Sequence, residues 1–82
     1  MKWAAIDFET ANPSPMSACA VGLTVFDEGE MVFSDSWLIR PHPYYDAFYP
    51  SFIDIHGITP DQVADAPFFP KVYEQLKPWL DG

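Results

Sequence analysis

Asp7 and Glu9 stand two residues apart in the run Ala-Ala-Ile-Asp-Phe-Glu-Thr, residues 4 to 10. The run reads as an apolar N-terminal strand. Side chains two apart on a strand share a face and start about 6 to 7 Å apart, so both carboxylates can turn toward a divalent cation near the strand's end. They form half of a metal site. The competing reading is a pair of solvated acids at a strand end. Three further residues have side chains capable of chemistry. Cys19 is the only cysteine and lies in an apolar run, Ala18-Cys19-Ala20-Val21, with no base visible beside it, so it reads as a small buried hydrophobe rather than a nucleophile. His42 lies between Pro41 and Pro43 and reads as a surface residue. His56, in Ile55-His56-Gly57-Ile58, is either a ligand-facing group or a brace for the loop that follows it.

These groups must be positioned by a small scaffold. A chain of 82 residues forms one modest core and buries only roughly 60 to 65% of its unfolded surface. With 49% hydrophobic and 17% aromatic residues, the sequence has the composition of a folded domain rather than a disordered acidic tail. Four basic residues against twelve acidic, a formal net charge of -8, is the reverse of the footprint of a protein that grips phosphates unaided. Divalent ions can invert the local sign at an acidic site. Asp27, Glu28, Glu30, Asp61, Asp65, Glu74 and Asp81 read as a soluble surface. One cysteine excludes an intrachain disulfide. No apolar run approaches the roughly 20 residues of a membrane span, nothing resembles a signal peptide, and the cytoplasm is the expected compartment.

Three extended segments are expected. Residues 2 to 8 carry apolar side chains on both faces, Trp3 and Ala5 against Ala4, Ile6 and Phe8, the pattern of a central strand covered on both sides. Residues 17 to 26 alternate Val21, Leu23 and Val25 against Gly22, Thr24 and Phe26. Residues 31 to 40 place Phe33, Trp37 and Ile39 on one face, with Ser34 and Ser36 on the other. Asp27-Glu28-Gly29-Glu30 is a hairpin connector in which Gly29 takes positive φ, and the result is a meander. Residues 41 to 53, with Pro41, Pro43 and Pro50, cannot continue a ladder. They are expected as a long aromatic loop whose rings either pack on the core or stack on bases. Thr59-Pro60-Asp61-Gln62 has the capping-box pattern that starts a short helix. Phe69, Val72, Tyr73, Leu76, Trp79 and Leu80 then form an apolar stripe at helical spacing that covers one sheet face. Pro78 is expected to end or kink that helix, and Gly82 to close the chain.

Together, Asp7-Phe8-Glu9-Thr10-Ala11-Asn12, Ser17-Ala18-Cys19-Ala20-Val21-Gly22, Leu38-Ile39-Arg40-Pro41 and Ile55-His56-Gly57-Ile58-Thr59 resemble the N-terminal half of the DEDD-type 3'-5' exonuclease superfamily. This superfamily includes the DNA polymerase III epsilon subunit, ribonuclease T and oligoribonuclease. The resemblance implies an α/β, ribonuclease H-like exonuclease fold in partial form. A three-stranded antiparallel meander plus a C-terminal helix would be present, without the later parallel strands and helices, so that residues 1 to 82 make up the N-terminal portion of a single exonuclease domain. It also implies that Asp7 bridges two metal ions, Mg²⁺ or Mn²⁺, and that Glu9 holds one. The backbone at Thr10 would lie near the 3'-terminal sugar, and His56 by the terminal base. Two such ions activate a water for in-line attack and stabilise the leaving oxygen. The family pattern also requires a third aspartate on a following helix, then a His or Tyr with a fourth aspartate. None of these can be matched here, and His56 is not the general base.

The expected function is metal-dependent release of nucleotides from single-stranded DNA or RNA 3' ends, as in replication proofreading, with a polymerase as a conceivable partner and with this chain inactive alone. The alternative is a non-catalytic binding or self-assembling module that associates through the open edge of the first strand, forming a homo-oligomer.

Overall fold

A computed structural model describes residues 1–80; Asp81 and Gly82, expected above as a surface acid and the chain's close, lie outside the described residues. Strands β1 (Lys2–Thr10), β2 (Ala18–Asp27) and β3 (Glu30–Leu38) form an antiparallel sheet in the order β1-β2-β3. The meander is as the alternation predicts. At the β2–β3 turn both Glu28 (φ 51) and Gly29 (φ 82) are left-handed, the backbone of a two-residue hairpin loop whose twist matches that of the strands. The sequence pattern marked only Gly29. Glu28 adopts the uncommon conformation while its carboxylate pairs with the N-terminal ammonium at 2.9 Å, an exposed contact of little energetic weight.

β2, not β1, is the central strand. Its burial alternates along its length, with Val21, Leu23 and Val25 buried. Helix α3 (Phe69–Leu80) covers that face, so that Val72 and Leu76 join Val21, Leu23, Val25 and Ile39 in one core, flanked by Phe33, Trp37 and Trp79. Phe33 and Trp79 stack with centroids 4.1 Å apart. Among the described residues β1 has a neighbour on one side only, the open edge expected of it, and its two-sided apolar pattern is only partly covered, with Trp3, Ile6 and Phe8 about half exposed. α3 sits over β2, and what reaches the β1 side chains is a tilted ring contact from Phe69 to Phe8 and, on the other face, a stack of Trp3 on Phe26.

Three further expectations are revised. The segment from 41 to 53 is not loop throughout, because helix α1 (Pro50–His56) begins within it. Pro50 takes the first helical position, where its missing N–H is needed by no partner and its φ is already helical. A single 3₁₀ turn, Pro43–Tyr45, precedes it. Pro78 lies inside α3, and the helix runs on to Leu80 rather than ending there. The carbonyl deprived of a donor belongs to exposed Glu74, where water can serve it, and the Trp79 stack anchors the last turn. The short helix α2 (Pro60–Val63) starts as its capping pattern predicts, with the Thr59 N–H donating to Gln62 Oε1 at 2.9 Å. β3 stops at Leu38 instead of residue 40, after which the Arg40 N–H donates to the Pro67 carbonyl at 2.8 Å and forms a parallel bridge with Phe68.

Candidate functional site

The β1–β2 register decides where the carboxylates point. Asp7 lies opposite Gly22 and Glu9 opposite Ala20, while Phe8, between them, lies opposite core residue Val21. Directly paired residues share a face, so Asp7 and Glu9 stand on the sheet face away from α3. The neighbouring positions carry small side chains, with Gly22 paired in turn to Ser36 and Thr24 to Ser34. A shallow open depression of about 400 Å³ results, bordered by Ala5, Asp7, Gly22, Thr24, Ser34 and Ser36. Asp7 is exposed and Glu9 half-buried. Neither has a hydrogen-bond or ion-pair partner among the described residues.

Just past Glu9 the ladder breaks. Glu9 pairs with Ala20 but Thr10 with Ala18, leaving Cys19 as the extra residue of a bulge, a device that turns a strand's end and re-aims its side chains. Cys19 is fully buried. Burial first, and then the charge of Glu9, push its thiol up to about 11, against a small opposing effect of a backbone hydrogen bond. The thiol is thus an inert neutral group, in agreement with its sequence reading.

His56 closes this end of the site. It is the last residue of α1, stopped by Gly57 in the left-handed conformation (φ 72), whose N–H donates to the Ile53 carbonyl at 2.7 Å. The Ile58 N–H donates to His56 Nδ1 at 3.0 Å. Nδ1 must therefore accept, and Nε2 carries the proton, which it donates to the Thr10 carbonyl at 2.9 Å with Cys19 Sγ 4.0 Å away. Both ring nitrogens are engaged. His56 braces the loop after α1 and fixes the tip of β1, leaving no free nitrogen to act as a base. The Thr10 hydroxyl, half-buried beside it, has no partner among the described residues.

A second latch was not legible as such in the sequence. Asn12, 7% exposed, donates from Nδ2 to the carbonyls of Tyr45 at 2.8 Å and Ala47 at 2.7 Å, and accepts from the Ser14 N–H at 2.9 Å. The Tyr49 N–H donates to the Ala11 carbonyl at 2.9 Å. The segment after β3 is thereby stitched to the two residues that follow Thr10. The only signal available was Asn before Pro, which marks a turn but not its distant partners.

The structure thus brings Asp7, Glu9, Thr10 and His56 to one end of the sheet. It adds no third acid: no group of three or more His, Cys, Asp or Glu side chains able to hold a metal is found among the described residues. The donor set fits a hard divalent cation in part, since Mg²⁺ commonly takes one or two carboxylates and completes its octahedron with water and phosphate oxygens. No described helix is long and apolar enough to cross a membrane.

No protein-family profile and no characterised protein matches the chain by sequence. Solved structures do match it. Exonuclease X in complex with 5'-overhanging duplex DNA superposes with a TM-score of 0.72 at 28% identity, over 88% of this chain and 41% of that one. A 3'-exonuclease that recognises the 3' end of histone mRNA stem-loop gives 0.75 at 24% identity, over 92% and 36%. Cell-death related nuclease 4 gives 0.76 at 24%, over 96% and 29%. The chain therefore spans less than half the length of each of these proteins, and its backbone, a three-stranded antiparallel sheet with helices, is that of part of the 3'-exonuclease fold.

Proposed function

We propose that this chain is the N-terminal portion of a single exonuclease domain, supplying the Asp7–Glu9 half of a metal-dependent 3'-5' exonuclease site. The observation that carries this reading is an acid pair, with no ion-pair partner among the described residues, aimed off the open face of β1 in a fold matched by 3'-exonucleases. Asp7 and Glu9 would hold Mg²⁺ or Mn²⁺, which when bound supplies an activated water and neutralises charge developing on the phosphate. The chain's own residues do the rest. The ladder with β2 fixes the spacing of the two carboxylates. The Thr10 hydroxyl is free to meet the terminal sugar, and its carbonyl, taken by His56, is not. His56 offers a terminal base its ring and not a proton, because its two nitrogens are satisfied internally.

With one carboxylate pair and no positioned general base, the isolated 82-residue chain is expected to cleave weakly or not at all, since loss of base assistance alone costs roughly 10²- to 10⁴-fold. The test is digestion of 5'-labelled single-stranded DNA and RNA with Mg²⁺ or Mn²⁺. It compares this chain with a longer product of the same reading frame, each with and without Asp7→Asn. Robust cleavage that Asp7→Asn leaves intact would overturn the site.

A second reading has its own observation. The unpaired edge of β1, with half-exposed Trp3, Ile6 and Phe8, suits a non-catalytic module that associates with another copy of itself.

A further inference from the structure

The sequence of the aromatic segment after β3 suits both core packing and base stacking, and the structure separates its rings. Tyr44 is 87% exposed and so contributes nothing to the core, yet its backbone is tied down and its ring lies against that of His42. His42 caps the Pro43–Tyr45 turn by accepting the Tyr44 N–H on Nδ1 at 3.2 Å. Its ring lies 5.3 Å from that of Tyr44 and 5.6 Å from that of Tyr45. Pro41 and Pro43 restrict the backbone on either side of His42, and the Asn12 latch grips the Tyr45 and Ala47 carbonyls. Three rings are thus presented to solvent in a fixed arrangement, two residues along the chain from one of only four basic side chains, Arg40, whose guanidinium lies 5.3 Å from the Phe68 ring centre. Of the three rings His42 lines, with Arg40 and Thr10, one apolar groove of about 590 Å³ on the α3 side of the sheet, so the platform adjoins a groove that reaches the last residue of β1, whose preceding acids Asp7 and Glu9 face the other side.

From this juxtaposition we infer that His42, Tyr44 and Tyr45 form a stacking platform for the unpaired nucleotides upstream of a 3' end, with Arg40 facing the connecting phosphates. The inference rests on the exonuclease reading for the location of the 3' end, and it specifies that the polymer is single-stranded where it leaves the site. Aromatic stacking is indifferent to base identity because every base has a π-face. Rings that are already ordered lose little entropy on engagement. In a chain of net charge -8, a single positioned cation and stacking, rather than a basic surface, must supply the affinity.

The test uses the 82-residue chain and a fluorescein-labelled decathymidylate whose 3'-terminal linkage is a phosphorothioate, so that cleavage does not shorten the probe. Anisotropy is read at low salt with Mg²⁺. Tyr44→Ala is expected to weaken binding roughly 5- to 100-fold, the range for loss of one stacked base, with Tyr44→Phe restoring it. A dithymidylate too short to reach the platform is expected to be insensitive to Tyr44→Ala. Tyr44 is exposed, so an unchanged thermal transition certifies the fold. Binding lost on Asp7→Asn but within twofold on Tyr44→Ala overturns the platform and leaves the metal site standing. The reverse pattern sustains the platform and removes the site. No binding of the decamer at millimolar protein, or saturable binding of a proline-rich peptide in its place, overturns the platform.

Discussion

Two carboxylates on one strand face, with no ion-pair partner among the described residues, offer the hard oxygens that a divalent ion prefers. Asp7 and Glu9 are such a pair, and their spacing was legible because a strand's period of two puts them on one face whatever surrounds them. Calorimetric titration with Mn²⁺ is expected to show weak uptake that falls at least about tenfold in Asp7→Asn or Glu9→Gln, since even outer-sphere partners of a metal change affinity by roughly 10- to 100-fold. Unchanged uptake after both substitutions would end the metal reading. Cys19 behaves oppositely. Its folded thiol titrates near 11 against an ordinary 9.0, so the folded protein keeps a proton that the unfolded chain releases. The stability this confers is complete below about pH 9 and is lost as pH rises through about 11. Thermal transitions followed from pH 8 to 11 are therefore expected to fall more steeply for the native chain than for Cys19→Ala. Parallel curves would remove that coupling. What the sequence did not reveal at this scale is that His56 spends both nitrogens on Thr10 and Ile58, because a hydrogen bond across 46 residues leaves no local signature.

Among the elements, both β1 and β2 were legible as strands, but only in β2 was the burial of each face legible, for one physical reason. Alternation in β2 states both a buried and a less buried face, and α3 supplies the burial with Val72 and Leu76. Apolar residues on both faces of β1 state only what that strand can bury, and here a single ring, Phe69, reaches Phe8 on the α3 side. Proline was ambiguous in the same way. Pro41 and Pro43 break the ladder, whereas Pro50, followed by Ser51-Phe52-Ile53 with no further proline, opens α1. Of the two outcomes Pro78 allows, an end or a kink, the end is excluded because the Trp79 stack on Phe33 holds the last turn. The α3–β2 contact carries the domain, so Leu76→Ala, at a site 1% exposed, is expected to cost about 2 to 5 kcal/mol. A domain of this size has on the order of 4 to 12 kcal/mol in total. Urea unfolding should show the midpoint falling by a large fraction. A change under about 1 kcal/mol would mean that α3 is not seated as described.

At the scale of the whole molecule, two opposed forces meet at β1. Among the described residues its outer edge pairs with no strand and is flanked by half-exposed Trp3, Ile6 and Phe8, and such an edge recruits another strand. The net charge of -8 pushes copies apart, over a distance that shrinks from about 30 Å in 0.01 M salt to a few ångströms at 1 M. Self-association is therefore expected to strengthen as salt rises. Binding of an oligonucleotide through Arg40 and a metal-loaded Asp7–Glu9 pair must weaken over the same range, because condensed counterions are released less favourably. Sedimentation velocity at low and high salt separates the two. The chain should shift from monomer toward dimer with concentration, more so in high salt, and Ile6→Lys, which sets a charge on the open strand, should return it to monomer without lowering its thermal transition, since Ile6 is 44% exposed. A monomer at every concentration and salt, or a dimer indifferent to Ile6→Lys, would remove the self-assembling alternative and leave the nuclease reading to stand on its metal site alone.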